Sequence, residues 1–145
     1  RLPADQAALP LSKDHVRIAV VGAHLRGMPL NHQLINRRAV FVESSETAPR
    51  YRLYALANTQ PAKPGLARAT SGESIQVELW DIPLARFGEF VAEIPAPLGI
   101  GSLELADGRW VKGFICEGAA LGDAQDITAY KGWRNWLASK ETQHV

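Results

Sequence analysis

The run Val16-Arg17-Ile18-Ala19-Val20-Val21, entered from His15 and stopped by Gly22, constrains the fold more than any other stretch. It starts with alternating apolar and polar residues and ends continuously apolar, the pattern of a strand with both faces covered. A chain with such a strand needs layers on both sides of a sheet. Its 145 residues are enough to supply those layers from one domain and to bury an ordinary core without covalent staples. The single cysteine, Cys116, has no partner for an internal disulfide. Lying in an apolar strand, it reads as a small buried hydrophobe rather than a nucleophile.

Charge narrows the partners. Sixteen Lys and Arg stand against fifteen Asp and Glu, a formal net charge of +1, and the charges are scattered along the chain. Nucleic acid and membrane surfaces are therefore not expected as partners. No Cys/His cluster has metal-ligand spacing, so neither metal nor cofactor is expected. The cysteine usage fits a reducing, cytoplasmic setting. Residues Arg1 to Leu11, with Pro3 and Pro10, contain no apolar run long enough for a signal peptide or a membrane span. Residues 1–14 read as a linker or tail, 15–138 as the domain and 139–145 as a second tail.

Other elements follow from periodicity and breakers. Asn31 is a favoured N-cap and predicts a short helix through Arg38, with Leu34 and Ile35 on one side. Ala39–Glu43 and Tyr51–Leu56 read as strands separated by a loop, Ser44–Pro49, and Asn58–Gly65 reads as loop because of its prolines and glycine. Ser74–Asp81 alternates, placing Ile75, Val77 and Leu79 on one face. Pro83 opens a helix carrying Leu84, Phe87, Phe90 and Val91, which Pro95 ends. Ile100–Leu105 and Arg109–Cys116 flank Asp107-Gly108, a strong hairpin signal. Asp126 is placed to cap a helix over Ile127–Leu137, with Ile127, Tyr130, Trp133 and Leu137 as its apolar stripe and Trp133 and Trp136 as packing anchors.

The first strand runs into Gly22-Ala23-His24-Leu25-Arg26-Gly27-Met28-Pro29-Leu30-Asn31-His32, where two histidines and an arginine gather on a glycine-containing turn. Strand-to-loop turns put polar groups at the rim of a core, where a rigid scaffold holds a small ligand. That segment, Tyr51–Leu56, Phe87–Gly101, and Asp107-Gly108 with Val111–Phe114 together resemble the C-terminal domain of allophanate hydrolase. The resemblance runs from about His15 to Leu137. It implies an α+β fold of the gamma-glutamyl cyclotransferase-like type, a small twisted mixed β-barrel or sheet with flanking helices. Periodicity alone leaves barrel and open sheet undecided.

In that family an amidase domain removes ammonia from allophanate, and the C-terminal domain is held to decarboxylate the N-carboxycarbamate so formed. No amidase nucleophile segment is found here, so the sequence resembles an isolated C-terminal fragment or a free-standing relative, with the amidase domain as implied partner. The implied substrate is a small dianion, whose decarboxylation needs carboxylate-binding donors and a proton for nitrogen. His24 is the candidate acid/base, because imidazole titrates near working pH. Backbone N–H groups around Gly22, Ala23 and Leu25 form a candidate carboxylate nest, with Arg26 supplying charge. Asn31, His32 and Tyr51 complete the candidate substrate site, His32 having the alternative of orienting the loop. Glu93 is a further candidate, because the broader cyclotransferase-like group uses an acidic residue near this helix. Val91 holds the simplest aligned position, and Glu93 reaches it only by a shift. Against these enzyme readings stands a non-catalytic assembly domain using Ile94–Ile100 as its interface, with a twofold homodimer as the commonest arrangement.

Overall fold

β1 (His15–Val20) lies at the centre of a five-stranded mixed sheet, as its apolar pattern requires. The remaining elements of the computed structural model, which describes residues 11–143, are α1 (Asn31–Ile35), β2 (Val40–Glu46), β3 (Tyr51–Ala55), β4 (Pro64–Arg68) and β5 (Gln76–Pro83). They continue as α2 (Leu84–Ala92), β6 (Leu98–Glu104), β7 (Trp110–Cys116), β8 (Gln125–Asp126) and α3 (Trp133–Gln143). Of the two expected tails, residues 1–10 and 144–145 lie outside the described residues, and α3 runs into the second one.

The large sheet has the order β2-β5-β1-β7-β6, and a smaller one has the order β4-β3-β8. Both are open. β1 pairs antiparallel with β5 and parallel with β7, which makes the sheet mixed. Its register brings Arg17 opposite Asp81, joined by a two-pronged ion pair of 2.8 and 2.9 Å. The two sheets meet where β4 crosses β7. A Cβ on Gly65 would stand 2.9 Å from the Cys116 sulfur, so only glycine permits that approach.

Ile18, Val20, Leu34, Leu53, Leu79, Ile82 and Phe90 are fully buried and form one core. Pro83 ends β5 and stands directly before α2, whose Phe90 enters that core. Burying a side chain of this size is worth about 1.5–3 kcal/mol. The Asp107-Gly108 hairpin forms as expected, with Gly108 at φ 92° and Leu105 N–H donating to the Arg109 carbonyl at 2.8 Å. Trp133 and Trp136 are buried packing residues. Among the described residues no helix is long and apolar enough to cross a membrane.

Several expectations are corrected. The Ser44–Pro49 loop begins later, because β2 keeps pairing with β5 as far as Glu46 after a register shift between Phe41 and Glu43. The ladder satisfies the backbone while Ser44 and Glu46 face outward. β4 begins at Pro64, inside the expected Asn58–Gly65 loop. α1 stops at Ile35, and Asn31 does not cap it; its amide reaches the His24 carbonyl instead, at 2.8 Å. The expected helix over Ile127–Leu137 is broken. Asp126 accepts a hydrogen bond from Thr128 N–H at the start of a short 3-10 turn, Thr128–Tyr130, whose N-cap is Ile127. Lys131 then turns left-handed at φ 62°, and Gly132 lies so close to Gln76 that a Cβ would stand 2.6 Å from its Oε1. α3 starts only after this contact.

Candidate functional site

His24 follows the carboxyl end of β1, and its ring is enclosed from three directions. Phe114 of β7 stacks on it at a centroid distance of 4.8 Å, and Phe90 of α2 meets it edge-on at 5.4 Å. On the third side its Nε2 lies 2.7 Å from Gln33 Oε1, so that nitrogen carries the proton and donates to the amide oxygen. Asn31 fixes the backbone of His24 through its carbonyl. The imidazole is only 7% exposed. Burial lowers its proton affinity below the usual histidine value; the bond to Gln33 works in the opposite direction, and the nearby cations Lys63, His32 and Arg37 lower it further.

His24 lines a cavity of about 180 Å³ together with Leu30, Gln33, Lys63, Glu93, Leu98 and Phe114, among others. A narrower recess continues from it to Gly22, Ala23 and Pro64. Lys63 is buried at 8% exposure, and among the described residues no carboxylate forms an ion pair with it. A mostly buried lysine stem whose ammonium shares a cavity with a histidine offers positive charge to a small anion. Leu98 and Phe114 give that cavity apolar walls.

The structure brings together only part of the site expected from sequence. His24, Gly22, Ala23 and Glu93 share the cavity and its recess. Glu93 is half exposed, and its carboxylate is held by Arg37 Nη2 at 2.9 Å, so it forms a rim rather than a buried acid. The Leu25 N–H donates to the Gly22 carbonyl at 3.0 Å rather than standing free for a ligand. Arg26 turns to Glu78 and lies over the Phe41 ring at 3.7 Å, lining a different cavity. His32 is exposed and its Nδ1 lies 2.9 Å from the Pro29 carbonyl, which is the loop-orienting role. Tyr51 is buried, its hydroxyl accepting from Glu104 N–H at 2.9 Å and from Arg68 at 3.2 Å, and it lies apart from the His24 cavity.

Sequence reasoning missed Gln33, Lys63 and Phe114. Gln33 sits in the predicted helix and Phe114 in the predicted hairpin, but neither position carries a local mark of a site. Lys63 had a faint one, a lone lysine between Pro61 and Pro64 just before a strand.

Comparisons with known proteins agree with this architecture. The family described as "Allophanate hydrolase C-terminal domain" matches residues 16–138. A urea amidolyase of Lachancea kluyveri is 47% identical over 130 residues, which cover 86% of this chain and 7% of that protein. A Kluyveromyces lactis allophanate hydrolase structure superposes with a TM-score of 0.84 at 44% identity, covering 89% of this chain and 22% of that one. A structure named gamma-glutamyl cyclotransferase superposes with a TM-score of 0.55 at 8% identity, which shows a shared fold. This chain thus spans a small fraction of the multidomain relatives it matches, and it belongs to the allophanate hydrolase C-terminal domain family.

Proposed function

We propose that this domain decarboxylates N-carboxycarbamate, the small dianion left when an amidase removes ammonia from allophanate. The observation that carries the reading is the pairing, in one cavity, of a lysine that has no carboxylate partner among the described residues with a buried imidazole. Lys63 binds one carboxylate, and the recess beside Gly22 and Ala23 receives part of the substrate. In the reaction the bond between nitrogen and one carboxylate carbon breaks. Carbon dioxide leaves, the electron pair goes to nitrogen, and nitrogen takes one proton to give carbamate.

His24 supplies that proton. In the empty site, burial favours its neutral form; an arriving dianion favours the charged imidazolium, so substrate binding draws a proton onto the ring. Gln33 holds the ring by its Nε2 side, leaving Nδ1 as the nitrogen that takes up and delivers the proton. Family membership supports the reading, because the K. lactis relative is named as an allophanate hydrolase.

The test generates N-carboxycarbamate in situ with a separate amidase domain and follows carbon dioxide release with wild-type chain, with His24→Ala and with no added domain. Wild type is expected to exceed the spontaneous rate, and folded His24→Ala to return to it. A wild-type chain that adds nothing overturns the proposal and favours an assembly role.

A further inference from the structure

Glu78 lies on β5 within the large sheet, yet its side chain is only 5% exposed and makes no contact with the His24 cavity. Four donors converge on its carboxylate. Oε1 accepts from Arg26 N–H at 2.9 Å and from Trp80 Nε1–H at 3.3 Å; Oε2 accepts from Arg26 Nε at 3.1 Å and from Arg134 Nη2 at 2.9 Å. Burial alone would push this carboxyl up, but the four donors outweigh it and hold it below the ordinary glutamate value. It is therefore a buried anion that fixes whatever donates to it.

Both ends of that arrangement converge on the backbone of one residue of the His24 loop. The Arg26 amide donates to Glu78, and the Arg26 carbonyl accepts from Arg134 of α3 at 2.8 Å. Arg134 thus joins α3, β5 and the loop through one guanidinium. Two residues before Arg26 stands His24, between the Gly22–Leu25 turn and the Asn31 bond to its own carbonyl. The cavity on this side, about 490 Å³ and lined by Arg26, Ser44, Gln76, Glu78 and Arg134 among others, opens to solvent behind the loop rather than in front of it.

We propose that Glu78 and Arg134 are positioning residues that hold the His24 loop closed against β1 and β5, and so keep the imidazole buried in its aromatic wall. For the proton-transfer role this rests on the decarboxylation reading; the positioning itself does not. Neither residue touches the substrate cavity. They act through Arg26, and the geometry joins the C-terminal helix to the site from behind.

The experiment reads the His24 ring directly by NMR titration, together with hydrogen exchange of the Leu25 and Arg26 amides, in the full 145-residue chain. Four proteins are compared: wild type, Glu78→Gln, Arg134→Met and Arg134→Lys. Arg134 is half exposed, so its variants keep the fold even if Glu78→Gln does not. Groups facing His24 that also titrate or carry charge are Lys63, His32, Arg37 and Glu93, and all are unchanged in every variant. Loosening the loop admits water to the ring, so the His24 midpoint is expected to rise toward the usual histidine value in Arg134→Met. Arg134→Lys keeps the charge, but its ammonium ends short of the Nη2 position that makes both contacts, and the midpoint is expected to rise part of the way. Amide exchange at Arg26 is expected to quicken about tenfold, the effect of one lost charge-assisted hydrogen bond. An unchanged midpoint with unchanged exchange overturns the proposal. So does a midpoint that follows charge alone, moved in Arg134→Met and normal in Arg134→Lys with exchange unaltered. Because no turnover is measured, failure here is distinct from failure of the decarboxylation assay.

Discussion

Replacing His24 by Gln should flatten the dependence of folding stability on pH in mildly acidic solution. The imidazole is 7% exposed and lies between Phe90 and Phe114, so its folded-state proton affinity is lowered relative to the unfolded chain, chiefly by burial. The unfolded histidine therefore binds more protons than the folded one as the pH falls below about 6.5. Stability is full above that value and declines on acidification until the folded-state pKa is reached. The limiting slope is about 1.4 kcal/mol per pH unit, so moving from pH 6.5 to 5.5 costs the wild type up to about 1 kcal/mol more than the variant. Gln at this position retains a polar group to pair with Gln33, and the other histidines remain in both proteins and cancel in the difference. Urea unfolding at pH 7.5, 6.5 and 5.5 measures it. Parallel pH profiles for the two proteins would refute the assignment of a buried, predominantly neutral imidazole.

Lys63→Met should leave the melting temperature equal or raise it, because among the described residues no carboxylate pairs with this largely buried lysine. The same variant should slow carbon dioxide release about tenfold or more, the scale of one lost charge-assisted contact. Tyr51→Phe should cost about 1–2 kcal/mol by leaving Glu104 N–H without its acceptor, while carbon dioxide release by the folded protein stays at the wild-type rate. Gly22→Ala would place a Cβ 2.2 Å from Pro64 Cδ, and overpacking of this kind costs about 1–3 kcal/mol; a thermal melt and the release assay together should show lower stability and lower activity.

The central strand, the helix after Pro83 and the Asp107-Gly108 hairpin were legible because each is specified by local chemistry: an apolar run, a proline at a helix start, a turn dipeptide. The break at Lys131 and Gly132 was not, because it is set by the approach of Gln76, distant in sequence. Within the site, His24 was identifiable from its place at a strand end, whereas Gln33 and Lys63 reach it only through the packing of α1 and the loop before β4. Arg26 looked equally functional in the sequence. Its side chain is held by Glu78, which alternation puts opposite the Ile75, Val77 and Leu79 face. A signal was present there, since Trp80 shares the parity of Glu78 and is 2% exposed: a tryptophan on the supposedly outer face marks that face as covered.

The central claim is that the anion site is the cavity between His24 and Lys63 and not the arginine-lined cavity behind the loop. Titration of the labelled chain with a short, unreactive dicarboxylate, followed by NMR at the His24 ring, the Lys63 ε-methylene and the Arg26 and Arg134 guanidinium groups, tests it directly. The expected result is saturable shifts at His24 and Lys63, abolished by Lys63→Met, with the two arginines unmoved. Shifts confined to Arg26 and Arg134, or shifts at His24 that survive Lys63→Met unchanged, would contradict it.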